Sequence, residues 1–163
     1  MANKVYTQQE TAIAWTDAGG DYTMDLGGLA ADAVRVGAQG DLGAAPRADR
    51  YGWQLVIDGF DTAPVVKETV DLYLAFSFDG TDIDGDVGAS DAAGDKNDLP
   101  NLLPLKPAVV ASTAAADKLI VSGVVEIVAR YVSPVVHNNT ADDLLSTSDA
   151  HTFKLWPTPP EVQ

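Results

Sequence analysis

Thr69-Val70-Asp71-Leu72-Tyr73-Leu74-Ala75-Phe76-Ser77-Phe78 decides the fold class of this chain. On an extended backbone Val70, Leu72, Leu74, Phe76 and Phe78 point one way, and Asp71, Tyr73, Ala75 and Ser77 the other. A helix would scatter those apolar residues around its girth, whereas a half-buried strand sorts them onto one side. The same alternation recurs upstream, where Tyr51, Trp53, Leu55 and Ile57 share a face.

Working outward, short runs rich in Val, Thr and aromatic residues alternate with Gly, Asp and Pro, the rhythm of strands and turns. Ala12 to Trp15, Tyr22 to Leu26, Ala33 to Ala38 and Thr152 to Trp156 read as further strands. Leu105 to Ala111 reads as an edge strand because Pro107 interrupts it. Leu119 to Val136 reads as one long strand with a bulge or bend at Gly123, with Glu126 and Arg130 on one face. Ser112 to Asp117 suggests one helical turn. Thr140 suggests the cap of a short helix through Leu144 or Leu145, with Asp142 and Asp143 in its first turn. No amphipathic helices intervene between strands, so the expected class is all-β: a jelly-roll-like β-sandwich of about eight strands with one or two short helical turns.

The expected organisation is an N-terminal arm over 1–11, one sandwich domain over 12–156, and a Pro-rich tail over 157–163. Asp79 to Asn101 is the most unusual stretch, with seven Asp and a single Lys, Lys96. A solvated loop is the expectation there, with an ordered contact loop as the alternative. Asp82, Asp84 and Asp86 alternate as calcium ligands can, but the spacing fails the EF-hand pattern: counting from Asp82, the sixth and twelfth positions are Val87 and Ala93. No other metal site and no cofactor are expected.

The chain has 163 residues, a formal charge of −14 and no cysteine. Disulfides and zinc–thiolate sites are excluded. Its ten basic residues are scattered, which argues against nucleic-acid binding and against docking on anionic lipid. No apolar run approaches the roughly 20 residues of a membrane helix, and the first residues lack the apolar core of a signal peptide.

No nucleophile elbow, metalloprotease helix or phosphate-binding loop motif is present. Gly37, Gly40 and Gly43 have the spacing of a flexible turn, not of a dinucleotide fingerprint. Asp71 and Glu126 are the carboxylates least easily dismissed as catalytic, though the expected arrangement is that they face solvent or pair with Arg130 or Lys67. Trp53, Tyr73 and Trp156 could stack on sugar rings, but aromatic residues in strands are more often core. The expectation is a protein that is not an enzyme.

Four segments in succession carry a family resemblance. Tyr51-Gly52-Trp53 leads through Val70 to Thr81 into the acidic loop. Gly123 to Pro134 follows, and His151 to Pro157 closes into a Pro-rich tail. This order of features resembles the head-decoration, or cement, proteins of tailed phages. The resemblance implies a structural virion protein on the capsid surface, assembled in the host cytoplasm. It further implies the major capsid protein as partner and a homo-oligomer, with a trimer favoured. The alternative is a tail or fibre β-sandwich module that binds a host-surface glycan, which would gather exposed aromatic residues on one face.

Overall fold

The computed structural model describes residues 5–45, 47–147 and 151–162. Met1 to Lys4 of the expected arm and Gln163 of the tail lie outside them. Fourteen strands are present among the described residues. They are β1 (Val5–Thr7), β2 (Ile13–Thr16), β3 (Tyr22–Thr23), β4 (Val34–Val36), β5 (Gly40–Asp41), β6 (Arg50–Ile57) and β7 (Thr69–Ser77), then β8 (Ala92–Gly94), β9 (Leu103–Pro104), β10 (Ala108–Val109), β11 (Leu119–Glu126), β12 (Tyr131–Asn139), β13 (Thr152–Pro157) and β14 (Pro160–Val162). Of the six beyond the eight expected, β1, β5, β8, β9 and β14 are pieces of two or three residues, and the sixth arises because the expected long strand from Leu119 is two, β11 and β12.

Two sheets face each other. One has five strands in the order β11-β6-β13-β2-β3; the other has seven, along the path β10-β7-β12-β4-β8, with β5 added beside β12 and β9 beside β7. The fold is an all-β sandwich. The main core lies between the sheets and takes Tyr51, Trp53, Leu55 and Ile57 from β6, and Val70, Leu72 and Leu74 from β7. Trp15 from β2 stacks on Tyr22 and packs against Phe153. Its indole N–H donates to the Ala38 carbonyl at 2.7 Å, so the buried ring keeps no unpaired polar atom. Burying such side chains stabilises the fold by roughly 1.5–3 kcal/mol each.

The alternation in β7 runs as expected through Leu74 and then departs. Phe76 is only partly buried, and Phe78 lies beyond the strand, 74% exposed. The cause is local: the Ser77 hydroxyl donates to Asp79 and accepts the Gly80 N–H, so a turn forms before Phe78 can face the core.

The long apolar run from Leu119 is two strands, not one. β11 ends at Glu126 and β12 begins at Tyr131 in the other sheet. Gly123 is no bulge: it sits in regular register opposite Trp53, and a Cβ there would come within 2.9 Å of the indole. Gly40 likewise lies under Trp15, at 2.4 Å from a would-be Cβ, so this glycine serves packing and not a flexible turn. β12 runs through the middle of its sheet and is buried from Val132 to Asn138. Pro134 is tolerated because its missing N–H faces the gap between β4 and β5, where Gly37 donates to the Pro134 carbonyl.

No helix forms after Thr140. Instead the Asn138 side-chain amide donates to the carbonyls of Leu29, Ala30 and Asp142, and Thr140 bonds Asn138 and Asp142. These local side-chain bonds satisfy the backbone in place of a helical turn. Around Ala115 there is a single turn closed by Asp117 N–H on the Ala114 carbonyl.

The ends of the chain meet. β1 pairs antiparallel with β14 as a two-stranded ribbon belonging to neither sheet. Below it Gln8 N–H donates to the Pro159 carbonyl and Glu10 N–H to the Pro157 carbonyl, and Thr158 N–H donates to the Arg50 carbonyl. The expected arm and tail are thus one paired element over the residues described.

Candidate functional site

The acidic stretch folds back over the outer face of the seven-stranded sheet. Leu99 and Leu102 are buried there with Val34, Val36, Ala75 and Val135, and Ile83, Val87 and Tyr73 pack alongside. β8 pairs with β4. Arg35 Nε and Nη2 donate to the two carboxylate oxygens of Asp91 at 2.6 and 2.7 Å. Asp79 accepts the N–H groups of Thr81 and Asp82, which hold its carboxyl below the ordinary range. The segment is therefore an ordered cover for the sheet and not a solvated loop.

Asp82, Asp84 and Asp86 are all exposed. Asp84 accepts the Phe76 N–H at 3.2 Å, which commits one of its oxygens to the chain itself. Among the described residues no group of three or more His, Asp or Glu could hold a metal ion.

Beneath one end of the cover sits a polar cluster that sequence reasoning missed. His137, 8% exposed, has Nε2 at 3.2 Å from Asp32 Oδ1 and Nδ1 at 3.8 Å from Asp71 Oδ2. Lys96 Nζ lies 2.5 Å from Asp32 Oδ2. The Lys96 ammonium, then His137, hold the Asp32 carboxyl below its ordinary range. Both imidazole nitrogens thus face carboxylates, so no hydroxyl is poised against either for nucleophilic work. Asp32 and His137 lie 105 residues apart, and no local spacing could have announced them. The other histidine, His151, is also a structural group. Its Nδ1 accepts the Asp58 N–H at 3.1 Å and its Nε2 donates to the Leu145 carbonyl at 2.8 Å. Burial pushes its pKa down.

The structure separates the remaining sequence candidates. Asp71 is on the seven-stranded sheet and Glu126 ends a strand of the other, so the two carboxylates do not confront each other. Asp71 neighbours His137 and Asn139, not Arg130 or Lys67. Arg130 makes a two-pronged bond to Asp41, at 2.8 and 2.7 Å, instead of meeting Glu126. Trp53 is core, while Tyr73 and Trp156 are half-buried on different sheets. The three aromatic residues form no common platform.

What remains is surface. β11 is the outermost strand of the five-stranded sheet and carries Ile120 and Val124, 60% and 58% exposed, on its outward side. Val109, also exposed, lies across a groove from it on β10. Among the described residues, nothing covers the outer face of this sheet as 79–102 covers that of the other. In the sequence this strand is apolar on both sides, which looks like a fully buried strand and hides an open one.

No family model matches the chain, and no curated protein matches it. Among solved structures it is similar to a sugar-binding protein described as the EclA C-terminal domain, with 11% identity and a TM-score of 0.32, over 100% of this chain and 79% of that one. A likeness of this size carries no argument about what the present chain binds.

Proposed function

We propose that this chain is a structural, non-enzymatic protein that binds the outer surface of a tailed-phage capsid and stabilises it, with the major capsid protein as partner. The observation that carries the reading is the ribbon of β1 and β14. It belongs to neither sheet and is tied to the sandwich by main-chain bonds around Glu10, Pro157 and Thr158. A two-stranded ribbon is marginal in water on its own, so a surface that receives it completes it. Repeated over a symmetric lattice, many such modest contacts give avidity well beyond one site. The charge of −14 keeps free copies soluble until they dock. The protein then resides in the virion, after assembly in the host cytoplasm, as a homo-oligomer; the resemblance favours a trimer.

Co-sedimentation with particles of the encoding phage, stripped of this protein, tests the reading. The expected result is saturable binding at a copy number that matches capsid symmetry. Deletion of residues 1–11 should weaken that binding and leave the circular-dichroism spectrum of the sandwich in place. Binding of only a few copies per particle, together with retention on a glycan array, would replace this reading with the tail-module alternative. Unchanged occupancy after the deletion would remove the ribbon from the mechanism.

A further inference from the structure

We propose that β11 is a self-association edge, and that two copies of this chain join by pairing their β11 strands antiparallel about a two-fold axis at Ser122. The inference does not rest on the capsid reading, and it departs from the trimer that the resemblance favours.

Among the described residues β11 pairs only with β6, from Leu119 opposite Ile57 to Glu126 opposite Arg50, and β10 of the other sheet lies near it across the groove. Just beyond the strand, Ile127 N–H donates to the Asp49 carbonyl. In an antiparallel ladder the bonded positions recur every second residue. Leu119, Val121, Gly123 and Val125 therefore turn their backbone groups toward β6. Ile120, Ser122, Val124 and Glu126 turn theirs to the free edge. Monomeric proteins blunt such edges with charge, proline, bulges or short length. β11 has eight residues, regular register, no proline and one charge, at its last position.

A two-fold axis at Ser122 sets Ser122 opposite its own copy. Ile120 then faces Val124, and Lys118, which also pairs with Asp58 of its own chain, faces Glu126, each pairing occurring twice. Every outward N–H and C=O from Ile120 to Val124 finds a partner. Moving the axis by one residue destroys this match: centred on Val121 it sets Lys118 against Val124, and centred on Gly123 it sets Ile120 against Glu126. The register is thus chosen by hydrophobic and charge complementarity together. The location also answers the repulsion between two chains of −14 each, because no acidic residue occurs between Lys118 and Val125.

Analytical ultracentrifugation of the full chain over a concentration series, without capsid, tests the proposal. The wild type should approach a dimer with rising concentration. Ser122→Pro removes an N–H that faces away from β6, so the native sheet should persist while the dimer is lost. Glu126→Lys and Lys118→Glu each place like charges opposite one another twice, and each alone should dimerise about tenfold more weakly. Mixing the two variants should restore wild-type affinity, since the mixed pair has every charge matched. That rescue compares each variant with itself and is insensitive to any folding defect of a single chain. A wild type that stays monomeric or forms trimers would overturn the proposal. So would a dimer indifferent to Ser122→Pro, or two charge variants that gain nothing on mixing.

Discussion

The outer face of the seven-stranded sheet and that of the five-stranded sheet are made of the same kinds of strand and finished differently. On the first, residues 79–102 lie over Val34, Val36, Ala75 and Val135 and close a second small core. On the second, Ile120 and Val124 stand in solvent beside an unpaired edge. The covering segment is the most acidic of the chain, yet it contributes apolar residues inward, fixes carboxylates of its own by bonds to Arg35 and backbone N–H groups, and sends its lysine, Lys96, to Asp32. The bare strand has almost no charge. Charge density in the sequence is therefore a poor guide to which surface is free. A segment rich in aspartate can be spent on the fold itself, while a valine-rich strand is left for other molecules.

The contrast is broken most severely by removing the cover's apolar anchor. Leu102→Ala opens a void under the segment and should cost about 2–5 kcal/mol, as large-to-small substitutions in cores do. Ile120→Ala, in a chain dilute enough to be monomeric, should stay within about 0.5 kcal/mol. Urea titration of both variants checks this. Equal losses would mean that the two faces are not distinct in energy. Next in size is Arg35→Ala, which strips a two-pronged partner from Asp91, a carboxylate with little access to water. Leaving it with the Asp25 N–H in place of the guanidinium should cost about 1–3 kcal/mol. Hydrogen exchange should speed up first in β8 and the adjoining cover.

How much of this was legible follows the range of the interactions. The alternation in β6 and the first half of β7 is written in adjacent residues and gave the all-β class directly. The cover was not legible, because Ile83, Val87, Leu99 and Leu102 have no common period and mean something only once β4 and β12 lie beneath them. Arg35 and Asp91 are 56 residues apart. The break between β11 and β12 was masked because Ile127, Val128 and Ala129 continue an apolar run through the crossing from one sheet to the other. Gly123 resembled a bulge, since the sequence cannot say that Trp53 lies across it. Thr140 had the local pattern of a helix cap, and the carbonyls that compete for its neighbour Asn138 come from Leu29 and Ala30, over a hundred residues away.

Acidity should separate the two regions more gently. His151 joins the end of β6 to the entry of β13, within the five-stranded sheet, and burial lowers its pKa. The unfolded chain then takes up the proton more readily than the folded one. The stability this group contributes is complete above about pH 6.5 and declines as pH falls toward the depressed folded value. The decline is at most about 1.4 kcal/mol per pH unit, the contribution of one proton. The cover depends instead on Asp32 and Asp79, whose pKa values also lie below the ordinary one, so its losses begin only below about pH 4. Melting curves from pH 8 to pH 5 should fall for the wild type and flatten for His151→Asn. An identical slope in the variant would assign the pH dependence elsewhere.

The smallest effect belongs to Arg130 and Asp41, and it isolates what burial adds. Their two-pronged geometry matches that of Arg35 and Asp91, but both side chains are well exposed at the rim of the seven-stranded sheet. The Arg130 guanidinium, with help from the Gly43 N–H, lowers the Asp41 carboxyl to about 2. The folded value is below the ordinary one, so the pair's contribution is present above about pH 4 and is lost as pH falls toward 2. Water and salt screen an exposed pair, and such pairs are worth little even when the geometry is good. Arg130→Ala should therefore leave the melting temperature at pH 7 unchanged in about 0.15 M salt, where the screening length is roughly 8 Å. A drop appearing only at low salt would fit a screened pair. A drop as large as that of Arg35→Ala would show that geometry, and not removal from water, decides the strength of these two ion pairs.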